Sequence, residues 1–141
     1  MSGGSVGHAG AGYTAAMSTS AARVLPRVLG VLTAAYSVAI IVSPKLLAKP
    51  CKLTRVDGVV PPEVATVIRA VGVRDAASGL ALVTAPAGAA LRAAVAVRVV
   101  SDFGDAAVFG LTLPDAATKA KAAGVAAAWG TLCAYSGRHT G

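Results

Sequence analysis

Six charges set among apolar neighbours are the residues best placed to do chemistry. They are Arg69, Arg74 and Asp75 in VATVIRAVGVRDAASGLALVTA, and Arg98, Asp102 and Asp105 in RVVSDFGDAAVFG. At 100° per residue, Arg98, Ser101, Asp102, Asp105 and Thr112 fall within about 100° of one another, which gives their helix one polar stripe. Arg98 and Asp102 are one turn apart, where side chains meet, and Asp105 continues the same face. In the other segment Arg69, Gly72, Asp75, Ala76 and Gly79 define a small-and-polar arc, while Arg74 points well away from it. Arginines in such a setting can hold an anionic group while aspartates orient them. Two like charges at i, i+3 can also keep a proton available for acid/base chemistry or transport. A metal site is a poor fit, because His8 and His139 are terminal, and no cofactor is expected.

The cost of those charges depends on what surrounds them. The chain has 141 residues, 55% hydrophobic and 13% charged, with a mean hydropathy of +0.69. Soluble domains carry roughly a quarter charged residues, so the profile is membrane-like. The net charge of +7 invites a nucleic-acid reading. However, Lys and Arg are scattered instead of forming a stripe, and six aromatics offer little for base stacking, so no nucleic-acid partner is expected. Cys51 and Cys133, without a CxxC or a nearby His, read as unpaired thiols, Cys133 buried.

Four apolar segments of spanning length must position the charges, at about 24–43, 64–85, 89–113 and 116–136. Pro26 falls in the tolerated first turn of the first, and Pro44 stops it; Pro61, Pro62 and Glu63 open the second, Pro86 closes it, and Pro114 with Asp115 ends the third. The fold class expected is all-α, a four-helix transmembrane bundle over 23–141. Residues 1–22, rich in Gly, Ser and Ala, read as a disordered tail, with Met17 an alternative start. The run from Val28 to Ser43 lacks an Ala-x-Ala cleavage pattern and reads as a retained helix, not a signal peptide. A soluble or peripherally attached helical bundle is the competing architecture, since only sixteen uncharged residues separate Lys121 from Arg138 and Lys119 and Lys121 must snorkel.

Magnitudes decide which way the charges face. Each Arg or Asp near a membrane helix centre costs about 2.5–3.5 kcal/mol, so six facing lipid would cost roughly 15–20 kcal/mol. The three arginines and three aspartates balance, and the short Pro86–Gly88 connection makes the second and third helices an antiparallel hairpin. Gly72, Ala76 and Gly79 are expected to let those two backbones approach. Lys45, Lys49, Lys52 and Arg55 surround Leu46 and Leu47, as in a segment lying on an anionic leaflet or in a plain solvated loop. With Lys119 and Lys121 they outnumber Arg23, Arg27, Arg92 and Arg138 on the other side, which places both termini outside.

The motifs RAVGVRD, SGLAL and RVVSDFGD resemble the paired motifs of the domain of unknown function 4267 family, through Arg69, Gly72, Arg74, Asp75, Gly79, Arg98, Asp102 and Asp105. These are small bacterial and fungal proteins expected to have four membrane helices, and the wider shape is similar to DoxX-like membrane proteins. The resemblance covers about Arg23 to Tyr135; it implies a fold and a charged interior, and no activity. Integral insertion, in the plasma membrane of a bacterium, is the expected location. The lipid bilayer is the expected partner, with a homo-oligomer or a membrane protein as a further one; Gly124 with Ala128 offers a close-packing face. The functional expectation is a buried Arg/Asp site for a small molecule, a lipid headgroup or a docking partner. A membrane-embedded enzyme using an aspartate as general acid or base, and a proton-coupled transporter subunit, are the alternatives. A further reading is that the network only fixes helix register.

Overall fold

The computed structural model describes residues 8–138, with side chains described from residue 24 onward. The described residues are all-helical: α1 (His8–Val42), a single-turn α2 (Lys45–Ala48), α3 (Pro62–Thr84), α4 (Ala89–Thr112) and α5 (Ala116–Gly137). The punctuation follows backbone chemistry. Pro44 follows the end of α1, and Pro62 opens α3 at a position where a missing amide costs nothing, with Glu63 favourably placed in the first turn. Ala85 leaves the helical region at ψ 132°, as the residue before Pro86 must. Gly88 turns the chain at φ 100°, open to glycine and strained for other residues. Asp115 caps α5, its carboxylate accepting from the Thr118 amide at 3.0 Å and the Thr118 hydroxyl at 2.9 Å.

α1 begins earlier than the sequence led us to expect. Residues 1–7 of the expected tail lie outside the described residues, but the backbone is already helical from His8. Alanine's helix propensity needs no apolar periodicity to act. Pro26 consequently lies inside α1 and not in its first turn.

The long helices run alternately up and down, and they pair unequally. α1 packs along α3, α4 packs along α5, and the two pairs meet over narrower seams, α3 with α4 and α1 with α5. The expected small residues therefore serve a different contact. A Cβ placed on Gly79 would lie 2.7 Å from the Gly30 carbonyl oxygen, and one on Gly72 would lie 2.7 Å from Ile41 Cγ1. Both glycines bring α3 onto α1 instead of α4, because the α3–α4 seam is held by long charged side chains that keep the backbones apart. Ala76 is half-buried on the same helix. A Cβ on Gly124 would meet nothing among the described residues.

Two small apolar clusters stabilise the ends of the bundle. Ile40, Ala48 and Ile68 gather with Leu47 and Leu53 near the α1–α2 turn, and Leu82, Leu91 and Val95 gather beside the α3–α4 connection. Between them the burial pattern is inverted. Ser37, Ser78, Arg98 and Asp102 are buried, while Val73, Val97, Val100, Val108 and Leu132 are exposed. One stretch among the described residues, Val24–Val42 with a hydropathy of 1.8, is long and apolar enough to cross a membrane on length and composition. α3 and α4 fall short of that measure because charges interrupt them, and α5 because its Ala-, Gly- and hydroxyl-rich sequence is too weakly apolar.

Candidate functional site

At the centre of the α3–α4 seam, two arginines and three aspartates form a continuous ladder. Arg98 is 2% exposed and Asp102 4%. Arg98 Nε donates to Asp102 Oδ2 at 3.0 Å, and its Nη2 pairs with Asp102 Oδ1. Its Nη1 donates to Ser78 Oγ at 3.0 Å and pairs with Asp75 Oδ1 at 2.9 Å. Arg74 closes the other half, with Nε 2.9 Å from Asp75 Oδ1 and a two-pronged contact to Asp105 at 3.1 and 2.6 Å. The forked geometry suits arginine, which presents its donors in a fixed plane.

The structure brings together Arg74, Asp75, Arg98, Asp102 and Asp105 of the residues that the sequence singled out, and it leaves out Arg69 and Ser101. Arg74 was expected to point away from the polar arc, yet it bridges Asp75 and Asp105. An angular projection counts Cα directions and ignores a side chain long enough to wrap the helix. Arg69 stands apart from the ladder: its Nε donates to the Ile41 carbonyl oxygen at 3.2 Å, one of the last carbonyls of α1. Ser101 is half-buried on α4 and joins neither the ion pairs nor the cavity wall described below. With Arg69 removed, the balance of three against three fails. The ladder carries formally one negative charge in excess. The arginines are also unavailable for an anion, because Arg98 Nε, Nη1 and Nη2 each already face an aspartate or Ser78.

The ladder forms one wall of a cavity of about 580 Å³ between the two helix pairs. Asp75, Arg98, Asp102 and Asp105 line it from α3 and α4; Thr33, Tyr36, Ser37 and Ile40 from α1; Lys121, Val125, Ala126 and Trp129 from α5. Trp129 Nε1 donates to Thr33 Oγ1 at 3.1 Å, tying α5 to α1 across the space. Ser37 donates to the Thr33 carbonyl at 2.7 Å. Sequence reasoning missed Thr33 and Ser37, whose i, i+4 spacing on one face of α1 was the signal that could have found them. Trp129 carried no such signal, since nothing local relates it to Thr33. Outside the ladder the lining is overwhelmingly aliphatic and aromatic, which suits a ligand with an apolar body.

The remaining reactive groups are quiet. Cys51 and Cys133 are free and buried. Burial pushes the Cys51 thiol above its ordinary range, so little thiolate exists at neutral pH and the group is a weak nucleophile. Among the described residues no three His, Cys, Asp or Glu side chains gather as a metal set, and the imidazoles of His8 and His139 lie outside the described side chains. Comparison of the chain with known protein families, with characterised proteins and with solved structures finds no match.

Proposed function

We propose that this chain is a small four-helix integral membrane protein that binds a small amphipathic molecule in the cavity between its two helix pairs, the Arg/Asp ladder forming the polar wall. The observation that carries this reading is the cavity itself, about 580 Å³, with four charged residues of the ladder in a lining that is apolar for the most part, Thr33, Ser37 and Lys121 apart. The membrane setting is supported by the inverted burial, with polar groups inside and large aliphatic side chains outside on all four long helices. Exposed aliphatic residues on every long helix are what a hydrocarbon surrounding accommodates. The motifs resembling the domain of unknown function 4267 family agree with this reading through the charged interior they encode, and a bacterial plasma membrane is the location it implies.

Ala126 lines the cavity from α5 and carries no charge, so Ala126→Trp fills the space without removing any member of the ladder. Protein purified from membranes in mild detergent, extracted into organic solvent and examined by mass spectrometry should yield a bound amphiphile near one per chain, reduced at least several-fold in Ala126→Trp. Equal recovery from both forms would show that the material is ordinary annular lipid and would sink the binding role.

A further inference from the structure

We infer, on the basis of that cavity-binding reading, that the head of the bound amphiphile is a single positive charge, an alkylammonium group seated against Asp75. Asp75 Oδ1 takes the ion pairs from both Arg74 and Arg98. Its Oδ2 accepts no hydrogen bond from the described residues, and buried side-chain oxygens left without a partner are absent among them. That second oxygen is therefore not sealed off, on a residue whose side chain is 15% exposed and lines the cavity. Asp102 and Asp105 have both oxygens engaged by arginine. The ladder is one positive charge short of neutrality, and a carboxylate in an apolar cavity is stabilised by a cation that donates to it.

The rest of the wall fits such a guest. Leu32, Ile40, Val71 and Val125 offer aliphatic contact to a chain, and Tyr36 and Trp129 present aromatic rings, which attract cations. Lys121 is the one cation of the lining outside the ladder, and it would oppose the guest. It lies in the second turn of α5 and is exposed, so solvent screens its charge far more than it screens Asp75. An anionic head would face the excess negative charge of the ladder directly, and a neutral head would leave that charge uncompensated.

Trp129 is the sole tryptophan of the chain and lines the cavity, so its fluorescence reports occupancy. The full chain in phosphatidylcholine nanodiscs is titrated with dodecylamine, dodecanol and dodecanoate, against empty discs as the partitioning baseline. Dodecylamine should bind roughly ten-fold or more tighter than dodecanol, with dodecanoate weakest, and Asp75→Asn should bring amine and alcohol together. Equal affinity for amine and alcohol, or preference for the carboxylate, overturns the charge assignment while leaving an amphiphile cavity standing. No response of Trp129 to any of the three removes the cavity-binding reading as well. Should Asp75→Asn fail to fold, the comparison of the three heads on the unaltered chain decides the matter alone.

Discussion

Arg98 concentrates the residue-scale physics of this protein. A guanidinium that is 2% exposed survives only because two carboxylates and a hydroxyl surround it. Removing it leaves Asp102 buried without its partner and Asp75 with Arg74 alone. Arg98→Ala should therefore cost about 3–5 kcal/mol of stability, measured by denaturant titration in detergent. Arg98→Lys should recover only part of that loss, since a compact ammonium cannot fork to Asp102 while reaching Asp75. Full recovery by lysine would mean that charge alone, without geometry, holds the seam. The Arg98–Asp102 pair was legible because an i, i+4 spacing is a local fact of helix geometry. The place of Ser78 beside Arg98, twenty positions away, required the seam.

At the scale of elements, α1 and α3 hold each other by a reciprocal device. Arg27 on α1 donates from Nη1 to the Leu82 carbonyl at 3.1 Å and also to Val83, and from Nη2 to Ala85 at 2.6 Å. It thereby covers the open carbonyls at the end of α3. Arg69 on α3 does the same for Ile41 near the end of α1. Each cation meets the negative end of the partner's helix dipole, an arrangement that antiparallel packing makes available at both ends. Between the two clamps the backbones touch at Gly30 and Gly79. Gly79→Ala should push the helices apart and cost about 1–3 kcal/mol by overpacking, and thermal unfolding would read it; an unchanged midpoint would mean that the pair can slide to accommodate a methyl.

The start of α5 is tied down in another way. The Thr118 amide, the Lys52 ammonium and the Thr118 hydroxyl hold the Asp115 carboxyl down to about 2, from its usual 3.8. Because the folded value is the lower one, the stability it supplies is complete above about pH 4 and is lost as pH falls through about 2. Lys52 Nζ lies 2.9 Å from Asp115 Oδ2, so the same titration frees the connection between α2 and α3. Hydrogen exchange at the Thr118 amide should accelerate relative to its neighbours over that window. Asp115→Asn, which keeps a capping oxygen and cannot ionise, should flatten the dependence.

At the scale of the whole molecule, charged and hydroxyl groups share the interior with the two apolar clusters, while many large aliphatic side chains lie outside. Val100 is 73% exposed and Leu111 78%, on the same helix that buries Arg98 and Asp102. If hydrocarbon is the surrounding medium, the chain should remain in the membrane pellet after an alkaline carbonate wash; release into the supernatant would refute insertion. Val56 stands fully out in the α2–α3 connection, among Lys45, Lys49, Lys52 and Arg55. Both native cysteines are buried, so a Val56→Cys variant supplies an accessible thiol. With the basic side inward, a membrane-impermeant maleimide should label it in inverted vesicles and leave it unlabelled in intact cells. The opposite pattern would reverse the topology.

The sequence by itself determined the helical character of the chain, the proline and glycine breaks, and the concentration of charge on two neighbouring segments. Each of these depends on residues within a turn or two of one another. Only the tertiary structure decided that Gly72 and Gly79 serve α1, that Arg74 belongs to the ladder and Arg69 does not, and that the ladder sets three aspartates against two arginines beside a cavity. Those outcomes depend on the reach of arginine side chains and on which helices lie closest, and both are fixed by contacts between residues distant in the chain.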